Sequence, residues 1–191
     1  MDSLLEAAAQ VLESEGFEKM TTTKVALRAG ASVGSLYQYY PSKDALLHAL
    51  FERKTERLRA RFAASLAATE GQGLEARVRA LIETLFLEKA TRSRLGVELA
   101  RQAPRLEKER LIERLSEDIH RAVHAVLDAH ADEVGVADRE LASWLVVHGV
   151  VGIADAAMLG PPARLRDPVF ISAVTEHVLD ALRVARLPSA R

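Results

Sequence analysis

Three tyrosines, the only ones in the chain, lie within four residues of one another at positions 37, 39 and 40. They belong to the stretch 29–43, which reads AGASVGSLYQYYPSK. A folded core spreads its aromatic residues, whereas phenol hydroxyls gathered beside serine, glutamine and lysine can hydrogen-bond to the oxygens of an anionic partner. The residue types in this stretch therefore predict a contact surface for a polyanion.

The charge around this stretch favours the same interpretation. The formal net charge of the chain is -1, but residues 19–61 hold nine lysines and arginines against three acidic residues. Residues 1–18 hold five acidic residues and no basic one. A basic segment that encloses the tyrosines is what binding to nucleic acid requires.

Histidines and carboxylates later in the chain are the other candidates for chemistry. His120 and His124 are four residues apart, and Glu117 and Asp128 lie near the same helical face, a spacing that could bind a metal ion. A solvated helix stripe explains the four residues as well, because no further ligand converges on them. We therefore predict no metal site and no cofactor.

Enzymatic chemistry is not indicated elsewhere. The chain has no cysteine, and it has no G-x-S-x-G motif, no phosphate-binding glycine loop and no H-E-x-x-H motif. Its first residues lack the basic start of a signal peptide, and its apolar run at 144–159 is interrupted and too short for a membrane span. These features predict a cytoplasmic protein that is not an enzyme and does not enter a membrane.

The elements that must position the tyrosines are helices, since alanine, leucine, glutamate and arginine dominate and no alternating strand pattern occurs. Caps and glycines predict helices at 2–15, from the threonines at 21–23 to Gly30, from Ser32 to before Pro41, from Ser42 to Ala68, and at 74–91, 94–102, 105–133, 138–159 and 168–186. The predicted fold class is all-α. A three-helix helix-turn-helix domain is expected at 1–48 and a larger antiparallel helical domain at 49–191, with helix 4 bridging the two.

The turn Gly30-Ala31-Ser32 between helices 2 and 3 is typical of a helix-turn-helix, because Gly30 can supply the positive φ that this turn needs. Leu36 and Tyr40 are predicted to face inward. The opposite face would enter a major groove, with Lys43 in the first turn of helix 4 beside it. We predict base contacts from Val33, Gly34, Ser35 and Gln38, and phosphate contacts from Tyr37, Tyr39 and Lys43.

The run TTTKVALRAGASVGSLYQYYPSKDALLHAL (21–50), preceded by AAAQVLESEGF (7–17), resembles the N-terminal domain of the TetR family of transcriptional repressors. The resemblance implies a homodimer with a helical ligand-binding domain that releases DNA when an effector binds. It also implies phosphate contacts from Thr22 and Lys24 in helix 2. We predict DNA contacts from Thr23 and Ser32 as well. Family members usually carry a basic extension before helix 1; this chain starts almost at the helix, and no contact from such an arm is expected.

The predicted function is that of a ligand-responsive transcriptional repressor, which binds a palindromic operator as a dimer. One alternative is a helical small-molecule binding protein whose helix-turn-helix is vestigial, and another is an enzyme that uses the histidines. Salt-dependent binding to a palindromic duplex separates these readings.

Two features of the second domain remain open at the level of sequence. The helices at 138–159 and 168–186 each carry two apolar stripes, so each could bury one stripe in its own domain and one against a twin. The predicted dimer contacts are Leu145, Gly149, Gly152, Ala156, Ile171, Val174, Val178 and Leu182. The candidates for a largely apolar effector site are Phe62, Phe86 and Trp144, with His148 and Asp155 as buried polar anchors. For both sets the alternative is that they are plain core residues.

Overall fold

The computed structural model describes residues 2–91, 94–102, 108–159 and 162–183. Over these ranges the chain forms α-helices and no strand, which confirms the predicted all-α class. The helices are α1 (Asp2–Glu15), α2 (Thr22–Ala29), α3 (Val33–Tyr39), α4 (Lys43–Ala68), α5 (Leu74–Ala90), α6 (Arg94–Gln102), α7 (Lys108–Ala129), α8 (Arg139–Leu159) and α9 (Pro168–Arg183). A 3-10 helix at Pro162–Arg166, which the sequence did not indicate, precedes α9.

The predicted end of the helix at residue 133 is wrong, because α7 stops at Ala129. The turn that follows is held by its backbone, with the N–H of Val134 donating to the carbonyl of His130 at 3.1 Å. The ring nitrogens of His130 lie 2.8 Å and 3.1 Å from the carbonyl oxygens of Val126 and Gln72, which fixes this side chain at the helix end. The predicted helical residues 105–107 and 184–186 lie outside the described residues.

The chain divides into two compact units. The first comprises residues 1–57 and 92–113, and the second comprises residues 58–91 and 114–191. Helix α4 contributes to both units, since the division falls after Arg57. The boundary predicted between residues 48 and 49 stays a prediction.

The core of the first unit is built on α1. Its buried residues recur at helical spacing along one face, and Leu12, Phe17 and Met20 are at most 1% exposed. They pack with Leu36 of α3 and with Leu46 and Leu47 of α4. These contacts fix α3 with one side against the core and the other free.

The core of the second unit is built from α5, α7, α8 and α9. Helix α8 buries one stripe within this core, at Ala142, Val147, Val150, Ala154 and Ala157. Its other side is exposed and mostly apolar, with His148 and Asp155 among its polar residues. We call this other side the α8 face, and it comprises Leu141, Trp144, Leu145, Gly149, Gly152 and Ala156.

The prediction that the apolar run in α8 is too short for a membrane span needs correction. By length and composition alone, Arg139–Ala157 is long and apolar enough to cross a membrane. Core helices of other folds meet the same criterion, and here one side of α8 packs in the core of the second unit. The helix meets the criterion because the exposed α8 face is apolar in addition to the side that packs in the core.

Candidate functional site

The turn between α2 and α3 is fixed by caps on both sides. The hydroxyl of Thr21 accepts the N–H of Lys24 at 3.2 Å, which caps α2. Gly30 has φ +64° and lies in the left-handed region, and the N–H of Ala31 donates to the carbonyl of Ala26 at 2.9 Å. The hydroxyl of Ser32 then accepts the N–H of Ser35 at 3.0 Å and starts α3. The predicted positive φ and both predicted caps are confirmed.

The two faces of α3 differ as predicted. Leu36 and Tyr40 face the core and are 0% and 8% exposed, whereas Tyr37 and Tyr39 are 49% and 54% exposed. Burial raises the pKa of the Tyr40 phenol, so this side chain stays neutral in the core. Val33, Gly34, Ser35 and Gln38 are exposed as well. The residues predicted for base contacts thus share the outer surface of one short helix with Tyr37 and Tyr39, which are predicted for phosphate contacts.

Two hydroxyls predicted to meet phosphate lie together. The phenol oxygen of Tyr37 is 3.2 Å from the hydroxyl oxygen of Thr22, at the first residue of α2. Thr23 is exposed beside them. Two hydroxyls at the start of a helix, where N–H groups are unsatisfied, form a suitable place for a phosphate oxygen.

Lys43 is held at the start of α4. Its ammonium lies 4.3 Å from the centroid of the Phe17 ring and 3.5 Å from the Phe17 carbonyl oxygen. Ser42 caps the helix by accepting the N–H of Ala45 at 3.0 Å. The cation and the helix N-terminus therefore present their positive charge together. The supporting role of Phe17 was not predicted, because nothing in the sequence places it under Lys43.

Part of the basic segment is neutralised within the first unit. The ammonium of Lys24 pairs with the carboxylate of Glu15 and donates to the Lys19 carbonyl at 3.0 Å. The Arg53 guanidinium lies 3.5 Å from the carboxylate of Glu6. The acidic helix α1 is thus folded against the basic residues, so the sequence-based charge overstates the positive field. A phosphate contact from Lys24 requires its pair with Glu15 to open.

Gly34 has no structural need to be glycine. A Cβ placed there would meet only the Ser32 hydroxyl, at the ordinary contact distance of 3.8 Å. The position is helical and exposed, so the chain itself would accept alanine.

We expect Gly34→Ala to separate folding from binding. Alanine should stabilise the protein by up to about 1 kcal/mol, because glycine is the poorer residue within a helix. Binding to a specific DNA site should weaken by about tenfold or more, because the added methyl group overpacks the close approach of helix and base pairs. Urea unfolding and fluorescence anisotropy measure the two effects. If the affinity is unchanged, Gly34 is not needed for the close approach of the backbone to the base pairs.

The histidines of α7 are engaged with neighbouring side chains. His124 lies 3.1 Å from the carboxylate of Asp128 and 3.6 Å from that of Glu140. The His120 ring faces that of His148, with 5.1 Å between centroids, and its buried Nε2 has no hydrogen-bond partner among the described residues. Within the same ranges, no group of three or more potential metal ligands occurs.

Burial of the ring, and then the neighbouring His148, lower the pKa of His120, against a smaller opposing effect of Glu140. In the unfolded chain this group titrates near 6.5. As the pH falls below that value the unfolded state therefore gains the proton first, and the folded state loses stability. We expect the melting temperature to fall from pH 7 to pH 5, and the fall to be smaller in His120→Gln. Thermal scans of both proteins at matched ionic strength test this, and equal slopes would contradict it.

A cavity in the second unit is the clearest candidate for a ligand. Its walls come from Phe62, from α5 between Val78 and Leu85, from α7 between Ile119 and Leu127, from α8 between Val146 and Val151, and from Leu182. Apart from Phe62, no residue of these walls was predicted from the sequence as a ligand contact.

Of the five predicted ligand contacts, only Phe62 lines this cavity. Phe86 is fully buried and stacks on Phe170 with 5.7 Å between ring centroids, so it is a core residue. Trp144 is 49% exposed and stacks on His148. The predicted burial of His148 and Asp155 is wrong: both are exposed, and Asp155 forms an ion pair with Lys89. The stripe that carries them faces away from the core.

The predicted dimer contacts divide between the two helices. Leu145, Gly149, Gly152 and Ala156 of α8 are exposed and belong to the α8 face. The predicted dimer contacts on α9 are wrong, because these residues lie in the core of their own unit. They are Ile171, Val174, Val178 and Leu182, each at most 9% exposed. The neighbouring stripe on α9, with Ala173, His177 and Ala181, is the exposed one.

Comparison with known proteins agrees with this architecture. Residues 4–50 match the profile described as bacterial regulatory proteins, tetR family, and residues 73–182 match the tetracyclin repressor-like C-terminal domain. The nucleoid occlusion factor SlmA of Vibrio atlanticus (strain LGP32) is 33% identical over 117 residues. That match covers 61% of this chain and spans only 59% of the length of the relative.

Solved structures share the fold. A candidate transcriptional regulator from Pseudomonas aeruginosa PAO1 superposes with a TM-score of 0.76 at 23% identity, covering 96% of this chain and 90% of the other. GusR from Salmonella enterica gives 0.71 at 24% identity, covering 95% and 94%. At these identities the likeness establishes the fold alone.

Proposed function

Since the chain belongs to the tetR family of DNA-binding transcriptional regulators, we propose that it acts as a repressor, leaving its operator when a small-molecule effector enters the second unit. The observation that carries this proposal is the outer surface of α3, where Tyr37 and Tyr39 stand exposed beside Gly34 and Gln38. The place of action is the cytoplasm, where the DNA is.

The outer surface of α3 suits a major groove. Gln38 can pair with adenine, Ser35 can bond to either base type, and Val33 can touch a thymine methyl group. Beside these side chains lie groups that can donate hydrogen bonds to DNA phosphates. They are the hydroxyls of Tyr37 and Thr22, the hydroxyl of Tyr39, and the ammonium of Lys43 above the Phe17 ring. Phosphate contacts position the helix, and base contacts select the sequence.

A dimer explains the exposed α8 face, since the family forms dimers and two recognition helices read a palindrome. Leu141, Trp144 and Leu145 are 53%, 49% and 56% exposed in the protomer. The glycines and alanine beyond them allow two copies of α8 to approach closely. We propose that the α8 face, with Ala173 and Ala181 of α9, is the interface of the homodimer.

The coupling between effector and DNA runs through α4. This helix begins with Lys43 and carries Phe62, a wall of the cavity, in its later half. A ligand that shifts α4 would change the separation of the two recognition helices, which must match about 34–36 Å between half-sites. Such coupling is reciprocal, so DNA must weaken ligand binding by the same factor.

Selection from a random duplex library tests the proposal. We expect a palindromic consensus, and an affinity that falls steeply with salt because each neutralised phosphate contributes about -0.9 to the slope of log K against log salt. Lys43→Ala should reduce this slope by about 1, because it removes one phosphate contact. A protein that enriches no duplex, or binds without salt dependence, is not a regulator of this type and would support the small-molecule binding alternative.

Lys54→Ala is the matched control for Lys43→Ala. Lys54 is an exposed lysine on the same helix, about 16 Å further along its axis. The two variants lose the same charge at different distances from α3. An equal effect of both would show that Lys43 adds only to the general field.

A further inference from the structure

Among the residues that the structure describes, no side chain in the cavity wall can bond to a polar atom. Each of them is phenylalanine, valine, leucine or isoleucine. His148, within its α8 wall, and Asp155, beyond the end of that wall, are exposed. Ser143, which precedes the wall, is buried, and its hydroxyl donates to the carbonyl of Glu140 at 2.8 Å. Ligand sites in proteins usually combine apolar walls with a few polar anchors, and the described part of this one consists of apolar walls alone.

This composition restricts the occupant. A hydroxyl, amide or carboxylate inside the cavity would leave water without gaining a partner, and such burial is costly. Water itself needs polar partners to occupy a cavity. The buried part of the ligand must therefore be hydrocarbon.

The dimensions restrict it further. Along α7 the walls run from Ile119 to Leu127, about 12 Å at 1.5 Å per residue. Three bonds of an extended chain span about 3.6 Å, so about ten bonds fill this length. Apart from Phe62 the walls are branched aliphatic side chains, which suits a flexible chain.

We propose that the cavity takes the hydrocarbon chain of an aliphatic compound with a polar group at one end only, of about eight to twelve carbons. The polar end stays outside the apolar walls. That such a compound binds in the cavity follows from the cavity walls. That it acts as the effector rests on the proposed function.

Titration calorimetry with the unmodified protein tests whether the cavity binds a hydrocarbon chain. The probes are hexanoic, octanoic, decanoic and dodecanoic acid and the matching alcohols, each below its micelle-forming concentration. Affinity should rise about fourfold for each added methylene group inside the cavity, and then level off. Decanedioic acid, which must bury a second carboxylate, should bind about a hundredfold or more weakly than decanoic acid. Equal binding of the two acids, or no binding in the whole series, would overturn the proposal.

A filled cavity tests the location. Val150 is 5% exposed in the cavity wall, and Val150→Phe should weaken decanol binding by about tenfold or more by occupying the space. Val169→Phe, at a site that is 76% exposed, is the control and should bind as the unmodified protein does. Full binding in a folded Val150→Phe protein contradicts the location. If that variant does not fold, the comparison of the two acids still decides.

The operator separates this inference from the proposed function. Decanol that binds with the expected chain-length dependence but leaves operator affinity unchanged supports the cavity and removes its effector role. A polar compound that releases DNA while no chain binds supports the repressor and removes the aliphatic ligand.

Discussion

Leu145→Glu should convert the protein to monomers and abolish tight operator binding. Leu145 is 56% exposed in the protomer, so the charge costs little there, but in the proposed dimer it would face the twin across close-packed helices. In a dimer, binding of one subunit to its half-site raises the effective concentration of the other subunit at the second half-site. Without the second subunit, operator affinity should fall by a factor of about 10²–10⁴. Sedimentation equilibrium should give 20.9 kDa, the mass of one chain, rather than twice that value.

Leu87→Glu is the control for this experiment. Leu87 is 53% exposed on α5, nearly as much as Leu145, and lies outside the α8 face. It should leave both mass and affinity unchanged. A dimeric Leu145→Glu protein with intact operator binding would place the interface elsewhere.

Val178→Asp should unfold the second unit rather than separate subunits. Val178 is 5% exposed and packs in the core beside Val174 and Leu182. A carboxylate there has to be buried without a partner or protonated, and either should lower the free energy of unfolding by more than about 4 kcal/mol. Circular dichroism with urea unfolding measures the loss. Had the α9 stripe been the interface, as its sequence suggested, the variant would fold as a monomer.

Ala181→Asp gives the contrast on the same helix. Ala181 belongs to the exposed stripe of α9, so the charged side chain can reach water in the protomer. This variant should fold and, if the stripe joins the α8 face in the interface, should weaken the dimer. A folded Val178→Asp together with an unfolded Ala181→Asp would reverse our assignment of the two stripes.

The first unit was predictable because its signals are local. Thr21, Ser32 and Ser42 cap helices through bonds within three residues, and Gly30 takes a conformation that glycine favours. The inward face of α3 follows from the spacing of Leu36 and Tyr40. What the local pattern lacked was pairing across helices, such as Lys24 with Glu15 and Lys43 over Phe17.

The second unit was harder because its helices are apolar on more than one side. In α9 both stripes suit a core, and only the packing of the whole unit decides that Val178 is inside and His177 outside. In α8 the same ambiguity makes the sequence predict His148 and Asp155 as ligand contacts, whereas Val147 and Val151 line the observed cavity. Periodicity identifies a buried stripe, but it does not say which neighbour buries it.

Trp144 gives the proposed interface an optical probe. It is the only tryptophan of the chain, it lies on the α8 face, and its ring stacks on His148 with 4.2 Å between centroids. All of the indole emission therefore comes from one position, and covering that position with a second copy would shift its wavelength. Because the chain has no cysteine, one introduced thiol in α3 would carry an acceptor dye without competition. Energy transfer from Trp144 to that dye would then follow, in solution, how far the recognition helix moves when a ligand is added.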